Sequence, residues 1–365
     1  MKAVSFLVLC SVLAKSLGSV CEDVYPNLSF GIGYNTEQKC TAVGGCWNNG
    51  NAGCSFPKIN GYEFTPSTLH SIHNSVRGNL TLIAPSGALG SDFKNLNLAI
   101  DYESATRLHI KITPDGESTG SRSTSNRWEV PESILPRPQS KFEGQSTMSY
   151  VINQHPFELS VKRGKDSIFN LSKMLVFQEQ YMQVVLGVPK GTRSTFGFGE
   201  SSRSQQAMQV GSSYTLWATD IAASNFDQSL YGSHPFFMQI LEDGSAHGVF
   251  LLNSNAMEAS LHDDATHGQA LGIQMTGGVL DFYIFSGPTP TAVLQQYFEV
   301  IGKPALVPYW SLGFHNCRWG YPSVDYVAEV VANYSVAGIP LETQWVDIDY
   351  MVNCCYYGHV IILDV

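Results

Sequence analysis

Cations are scarce in this chain. Only 21 Lys and Arg stand against 31 Asp and Glu, giving a net charge of −10, whereas a surface that tracks nucleic-acid phosphates needs clustered cations. Nucleic acid is therefore not an expected partner. Long apolar runs are missing too: none reaches the ~18 consecutive apolar residues of a spanning helix, so no membrane span is expected. The ten His show neither H-E-x-x-H nor paired helical spacing, which removes the common zinc-hydrolase pattern. No metal or other cofactor is expected, and His234 and His247 read as structural. The G-x-S-x-G match at Gly116-Glu117-Ser118-Thr119-Gly120 falls in the Ser- and Arg-rich stretch read below as an exposed loop, so the serine elbow of strand-to-helix hydrolases is not expected. Gly197-Phe198-Gly199-Glu200-Ser201-Ser202 has the glycines of a phosphate loop but no helix after it, so that function is set aside.

What is present points to export. One Lys precedes an apolar run from Ala3 to about Leu13, and Ser16 and Gly18 stand two apart, the layout of a secretory signal over residues 1–18. Acceptor triplets at Asn27, Asn79, Asn170 and Asn333 fit an extracellular or lysosomal and vacuolar destination. With 44% apolar residues, 12% aromatics, 14% charged and 33 Gly, the chain reads as a β-rich protein with a sizeable core and neutral partners.

Cys21, Cys40, Cys46 and Cys54 fall in a short loop-rich segment, residues 19–58. So small a segment cannot bury a core of its own, and in an oxidising compartment its four Cys imply two disulfides. A metal site would want C-x-x-C or a nearby His, and neither is there. Three pairings remain open from sequence. The stretch IGYNTEQKCTAVGGCWNNGNAGCSFP resembles a P-type trefoil module in which Ile32 and Gly45 replace one bonded pair. The resemblance implies Cys21–Cys46 and Cys40–Cys54.

From residue 59 to 288 apolar residues alternate. Leu96, Leu98, Ile100 and Tyr102 share a face, as do Leu108, Ile110 and Ile112, with Pro114-Asp115-Gly116 as turn chemistry. Phe157-Leu159-Val161, Gly248–Leu252 and Val279–Phe285 continue the pattern, predicting a large antiparallel β-sandwich. Residues 116–126 read as an exposed loop. From 289 the period lengthens, predicting a helix through Val293, Tyr297 and Val300 stopped by Gly302. A strand from Trp310 to His315, a helix capped by Ser323 and ended by Gly338, and a strand from Leu341 to Tyr350 complete a parallel crossover over 289–351.

Asp347 and Asp349 close the last of these strands, where i and i+2 share a face, and Arg318-Trp319 follows the first. In a (β/α) barrel catalysis sits at such strand ends. A D-x-D pair is also the metal and nucleotide-sugar signature of some glycosyltransferases, but those need an α/β layer upstream. The blocks Leu230–Leu261, Thr276–Tyr321 and Gln344–Met351 closely resemble glycoside hydrolase family 31, nearest the acid α-glucosidase and maltase-glucoamylase group.

The resemblance implies a retaining α-glucosidase acting on terminal α-linked glucose of maltose-like oligosaccharides. It implies that Asp347 binds hydroxyls of the terminal glucose and that Trp319 lines the pocket. It also implies that Asp220, in Trp217-Ala218-Thr219-Asp220, reaches over the site from a sandwich loop, although Ala218-Thr219 departs from the family's Asn-Arg. None of these residues is catalytic. The family's W-x-D-M-N-E-like nucleophile motif is not found in the 365 residues, and the acid/base has no counterpart. The fold expected is thus mainly β: a trefoil-like module, a sandwich, then the first strand-helix-strand of an incomplete (β/α)8 barrel. Residues 352–365 leave the family pattern, as in a truncated reading frame. The 365 residues are expected to be inactive by themselves, and the alternative function is a secreted carbohydrate-binding protein without catalysis.

Overall fold

The computed structural model describes residues 25–29, 36–42, 46–48, 53–56, 61–65, 75–85, 90–115, 127–135, 142–221 and 225–351. The leader, Cys21, the loop at 116–126 and the tail from 352 lie outside them. The chain forms two compact units, one up to Gly302 and one from Lys303.

At the start of the first unit, β1 (Tyr25–Ser29), β2 (Cys46–Asn48) and β3 (Gly53–Phe56) make a small antiparallel sheet with a short helix at Glu37–Ala42. A disulfide joins Cys40 to Cys54. Cys46 is disulfide-bonded as well.

The rest of this unit is a sandwich. Its strands are β4 (Tyr62–Thr65), β5 (Ser75–Leu82), β6 (Asn95–Tyr102), β7 (Arg107–Asp115), β8 (Met148–Gln154), β9 (Phe157–Arg163), β10 (Asp166–Phe177) and β11 (Met182–Gly187). They continue with β12 (Thr192–Ser201), β13 (Ser213–Leu216), β14 (Ser229–Leu241), β15 (Ala246–Leu251), β16 (Met257–Asp264), β17 (Gly268–Met275) and β18 (Leu280–Phe285). An 8-stranded antiparallel sheet runs β12-β14-β15-β18-β7-β6-β5-β4, and a 7-stranded one runs β13-β16-β17-β11-β10-β9-β8. Their apolar faces meet in one core, where Phe169 of β10 lies 5.5 Å from Phe282 of β18 and Phe64 of β4 lies 6.2 Å from Phe157 of β9.

One sequence expectation changes here, and the glycine run finds another explanation. Pro114 and Asp115 are not a turn: β7 continues through them, Pro114 facing Leu96 and Asp115 facing Asn95. The glycine run at 197–202 lies in β12, whose register against β14 is irregular. Gly197 has φ +134, and a Cβ there would sit 2.2 Å from the Phe236 carbonyl oxygen. Close backbone approach, not phosphate binding, demands glycine.

The helix Pro290–Ile301 begins with the Thr289 hydroxyl accepting from the Ala292 amide at 3.1 Å and has Pro at its first turn. Its buried face, Val293, Tyr297 and Val300, packs on Phe236, Phe250 and Phe285 of the 8-stranded sheet, with Tyr297 stacked on Phe236 at 4.3 Å. The Gln296 amide fixes the entry by bonding both the N–H and the C=O of Gly287, at 3.0 and 2.8 Å. The compact sandwich therefore extends past the boundary expected at residue 288, and this helix belongs to it. Because the helix covers the outer face there, β15 and β18 are buried on both sides.

In the second unit β19 (His315–Arg318) pairs in parallel with β20 (Thr343–Val346), joined by a helix at Val324–Val336. The Ser323 hydroxyl accepts from the Tyr326 amide at 3.2 Å, capping that helix. The crossover is as expected, but the second strand is shorter and the first is displaced, sharing only His315 with the expected run. Tyr309–Leu312 forms a 3-10 turn instead of opening the first strand. The second ends at Val346, because the Asp347 carboxylate accepts from the Ile348 amide and starts another 3-10 turn over Ile348–Tyr350. No helix among the described residues is long and apolar enough to cross a membrane.

Candidate functional site

The C-terminal ends of β19 and β20 carry two of the three residues singled out in the sequence. After β19 the chain turns through Trp319 and Gly320, and Gly320 has φ +95, a backbone that suits glycine. Both Asp349 oxygens accept from the Gly320 amide, each at 3.0 Å, and one also accepts from the Tyr321 amide at 3.4 Å. The loop behind Trp319 is thereby tied to the turn after β20. Trp319 is left 64% exposed, with its ring available to a ligand.

Asp347 and Asp349 are not neighbours on one strand face. Asp349 is committed to the Gly320 backbone, while Asp347 gives one oxygen to Ile348 at 2.6 Å and stays exposed. Beneath them a polar set fixes the two strands: Asn316 donates to Gln344 at 2.9 Å, Gln344 donates to the Tyr321 hydroxyl at 2.8 Å, and the Tyr334 hydroxyl donates to Asn316 at 3.1 Å. Trp345 donates from Nε1 to His315 Nδ1 at 2.9 Å, so His315 is the Nε2–H tautomer, donating to the Ser311 carbonyl at 2.9 Å.

The third residue, Asp220, belongs to the other compact unit. It lies on the loop after β13, which the Thr219 amide anchors to the Leu230 carbonyl at 2.9 Å. The Tyr231 hydroxyl donates to Asp220 Oδ1, and that hydrogen bond, with the carboxylate charge, pushes the phenol pKa up. Tyr231 was missed from sequence. It sits 11 positions from Asp220, a spacing with no periodic meaning until β14 folds back beside the loop. Trp217 and Tyr231 are exposed aromatics here, at 60% and 66%.

A second titratable cluster lies on the outer face of the 8-stranded sheet. Arg107, 1% exposed, donates to Glu103 and to Glu299 of the Pro290–Ile301 helix, both at 2.9 Å. His109 faces Glu103 at 3.0 Å and Asp281 at 2.6 Å, and stacks on Tyr283 at 4.3 Å. Lys111 pairs with Glu129 at 2.6 Å. Every charge named here has an opposite partner, so this reads as structure. Of the two histidines expected to be structural, His247 is fully buried and bonded to Gln239 at 2.9 Å, whereas His234 is surface-exposed.

Of the four acceptor triplets, Asn27 and Asn79 lie on β1 and β5. Asn170, on β10, accepts from the Ser167 hydroxyl at 2.6 Å and donates to the Gly187 carbonyl at 3.3 Å. Asn333 is exposed on the second unit's helix.

A two-sheet sandwich is followed by a parallel strand-helix-strand with a tryptophan and an exposed carboxylate at its strand ends, and known proteins share this sequence. Residues 100–259 match the Glycosyl hydrolase 31 N-terminal galactose mutarotase-like domain, and residues 304–360 match the Glycosyl hydrolases family 31 TIM-barrel domain. The chain belongs to glycosyl hydrolase family 31. It is 39% identical over 304 residues to a probable alpha-glucosidase of Oryza sativa subsp. japonica, covering 76% of this chain and 33% of that protein. It is 38% identical to an alpha-glucosidase of Hordeum vulgare, covering 78% and 34%. The chain thus spans about a third of the length of these relatives. A glucosidase II alpha subunit bound to Glc1Man2 superposes with TM-score 0.69 at 18% identity, over 82% of this chain and 40% of that one. That likeness speaks to the fold.

Proposed function

We propose that this chain is the front part of a retaining α-glucosidase of the secretory pathway: a trefoil-like module, the sandwich and the opening strands of a (β/α)8 barrel. The observation that most supports a glucoside site is the pinned loop, in which Asp349 fixes Gly320 and leaves Trp319 exposed near a carboxylate, Asp347, with one oxygen still to offer. An indole face covers the apolar side of a pyranose, and a carboxylate accepts sugar hydroxyls in charge-assisted hydrogen bonds. Asp220, steadied by Tyr231, is a separate sugar-binding residue of the sandwich unit in this reading.

These residues bind and orient a terminal glucose. They do not cleave it: retention needs two carboxylates about 5 Å apart on either side of the glycosidic bond, and the nucleophile motif is not among the 365 residues. The paired-carboxylate metal reading is disfavoured because Asp349 already spends both oxygens on Gly320. Titration of maltotriose into the purified chain tests the proposal. Trp319→Ala is expected to weaken binding at least tenfold, about 1.4 kcal/mol, and Asp347→Asn to weaken it similarly. Unchanged affinity in both variants would exclude this loop as the sugar site. Glucose release from maltose by the chain alone is expected to be undetectable, and measurable release would overturn that part.

A second prediction concerns the pin itself. Asp349→Ala should leave the sandwich intact but release the Trp319 loop, so that maltotriose affinity falls while the unfolding free energy of the sandwich stays within about 0.5 kcal/mol of wild type. Wild-type affinity in this variant would show that the loop holds itself.

A further inference from the structure

The outer face of β5, β6 and β7 carries a groove of about 460 Å³, within the ~300–1,000 Å³ of small-ligand sites. Strand register shapes it. Arg77, Ala99 and Lys111 stand opposite one another across the three strands, so a methyl group lies between two long side chains. The next row along is Asn79, Asn97 and Thr113.

The walls are held in place. Arg77 forks onto Asp101 at 2.8 and 3.0 Å, and Lys111 reaches Glu129 at 2.6 Å. Arg127, at the rim, turns its guanidinium away to the carbonyls of Gly278, Gln178 and Glu179. Arg77 and Lys111 thus already have counter-ions, and the Arg127 guanidinium is spent on backbone carbonyls, so none of the three turns an unengaged charge toward an anion. What remains is a set of fixed donors and acceptors over a floor of Ala99, Pro114 and Val279. Fixed polar groups lose little conformational freedom on binding.

We propose that this groove is a second carbohydrate site, taking a neutral sugar through Asn97, Thr113 and the two ion pairs. The choice of sugar among neutral polyhydroxylated ligands rests on the proposed function. The sugar has two sources: a free oligosaccharide, or a glycan linked to Asn79, which heads the triplet Asn79-Leu80-Thr81 and stands in the same row as Asn97 and Thr113.

The test is calorimetric titration of maltotetraose into the full chain secreted from eukaryotic cells, as wild type, Trp319→Ala, Ala99→Trp, Asn97→Ala and Asn79→Gln. A binding component that survives Trp319→Ala, weakens at least tenfold in Ala99→Trp and weakens severalfold in Asn97→Ala is the expected result. Asn97→Ala adds no bulk, so it keeps the test valid should the tryptophan disturb the strand. If that component emerges only in Asn79→Gln, the chain's own glycan fills the groove, which also supports a sugar site. Absence of any component sensitive to Ala99 or Asn97, with and without Asn79, overturns it. Loss of binding confined to Trp319→Ala would likewise overturn the groove while supporting the proposed function.

Discussion

Replacing Arg107 with Met lowers the stability of the sandwich by about 3 kcal/mol. The methionine refills most of the volume, so the effect is electrostatic. Arg107 is 1% exposed and is held between Glu103 and Glu299 at 2.9 Å. Removing one member of a buried ion pair leaves an uncompensated charge, typically costing about 3–5 kcal/mol. The lower end applies because Glu299 is 55% exposed and regains water, whereas Glu103, at 15%, does not. Glu103 also faces His109, so the loss spreads into the neighbouring pair. Urea unfolding gives the measurement, and Glu103→Gln combined with Arg107→Met should recover part of the loss. A single-mutant effect under about 1 kcal/mol would mean that water reaches the cluster.

Stability is expected to peak near pH 6.5 and to fall on both sides. His109 drives the alkaline limb, and His247 drives the acid limb together with His234, His262, Asp243 and Asp264, whose folded pKa values are also lowered. Burial pushes His109 down, but hydrogen bonds to Asp281 and Glu103, together with their charges, outweigh it and lift its pKa from 6.5 to about 9. The geometry requires the same state independently. Both ring nitrogens face carboxylate oxygens, and a neutral imidazole has only one N–H to give. Below pH 6.5 folded and unfolded chains both hold this proton, and the stabilisation is complete. As pH rises from 6.5 towards 9 the unfolded chain releases its proton first, and about 3 kcal/mol is lost.

His247 behaves in the opposite sense. Burial, reinforced by the Arg163 charge, lowers its pKa to about 3. Above pH 6.5 it is neutral in both states. As pH falls from 6.5 towards 3 the unfolded chain takes up a proton that the folded chain refuses, and stability falls by a few kcal/mol. Urea midpoints between pH 4 and pH 10 read both limbs. His109→Gln should flatten the alkaline side and His247→Gln should make the acid side shallower. Each variant retaining the wild-type slope on its own side would sink the assignment.

Much of the sandwich was legible because several of its strands bury alternate residues and turn the others outward. The run Leu96, Leu98, Ile100 alternates with polar residues, and its burial alternates in step. The helix at Pro290–Ile301 was legible from its period, but not its partner. An amphipathic stripe says that something apolar covers it, and only the fold shows that this is the Phe236, Phe250 and Phe285 face of the sandwich. Trp319 and Asp347 entered the candidate site through resemblance, and their sugar contacts are the ones proposed above. The two-residue spacing of Asp347 and Asp349 misled, because a side-chain oxygen of Asp347 captures the next amide and ends the strand before either carboxylate.

The chain by itself determined its strands, caps and family blocks, since these depend on residues a few positions apart. Tertiary structure alone decided that His109 meets Asp281, 172 positions away, and that Arg107 meets Glu299, 192 positions away. It likewise decided that Asp349 serves the Gly320 backbone while Asp347 stays open. Side-chain charge and hydrogen-bonding capacity are written in sequence, but the partner that satisfies them is set by which strands lie side by side.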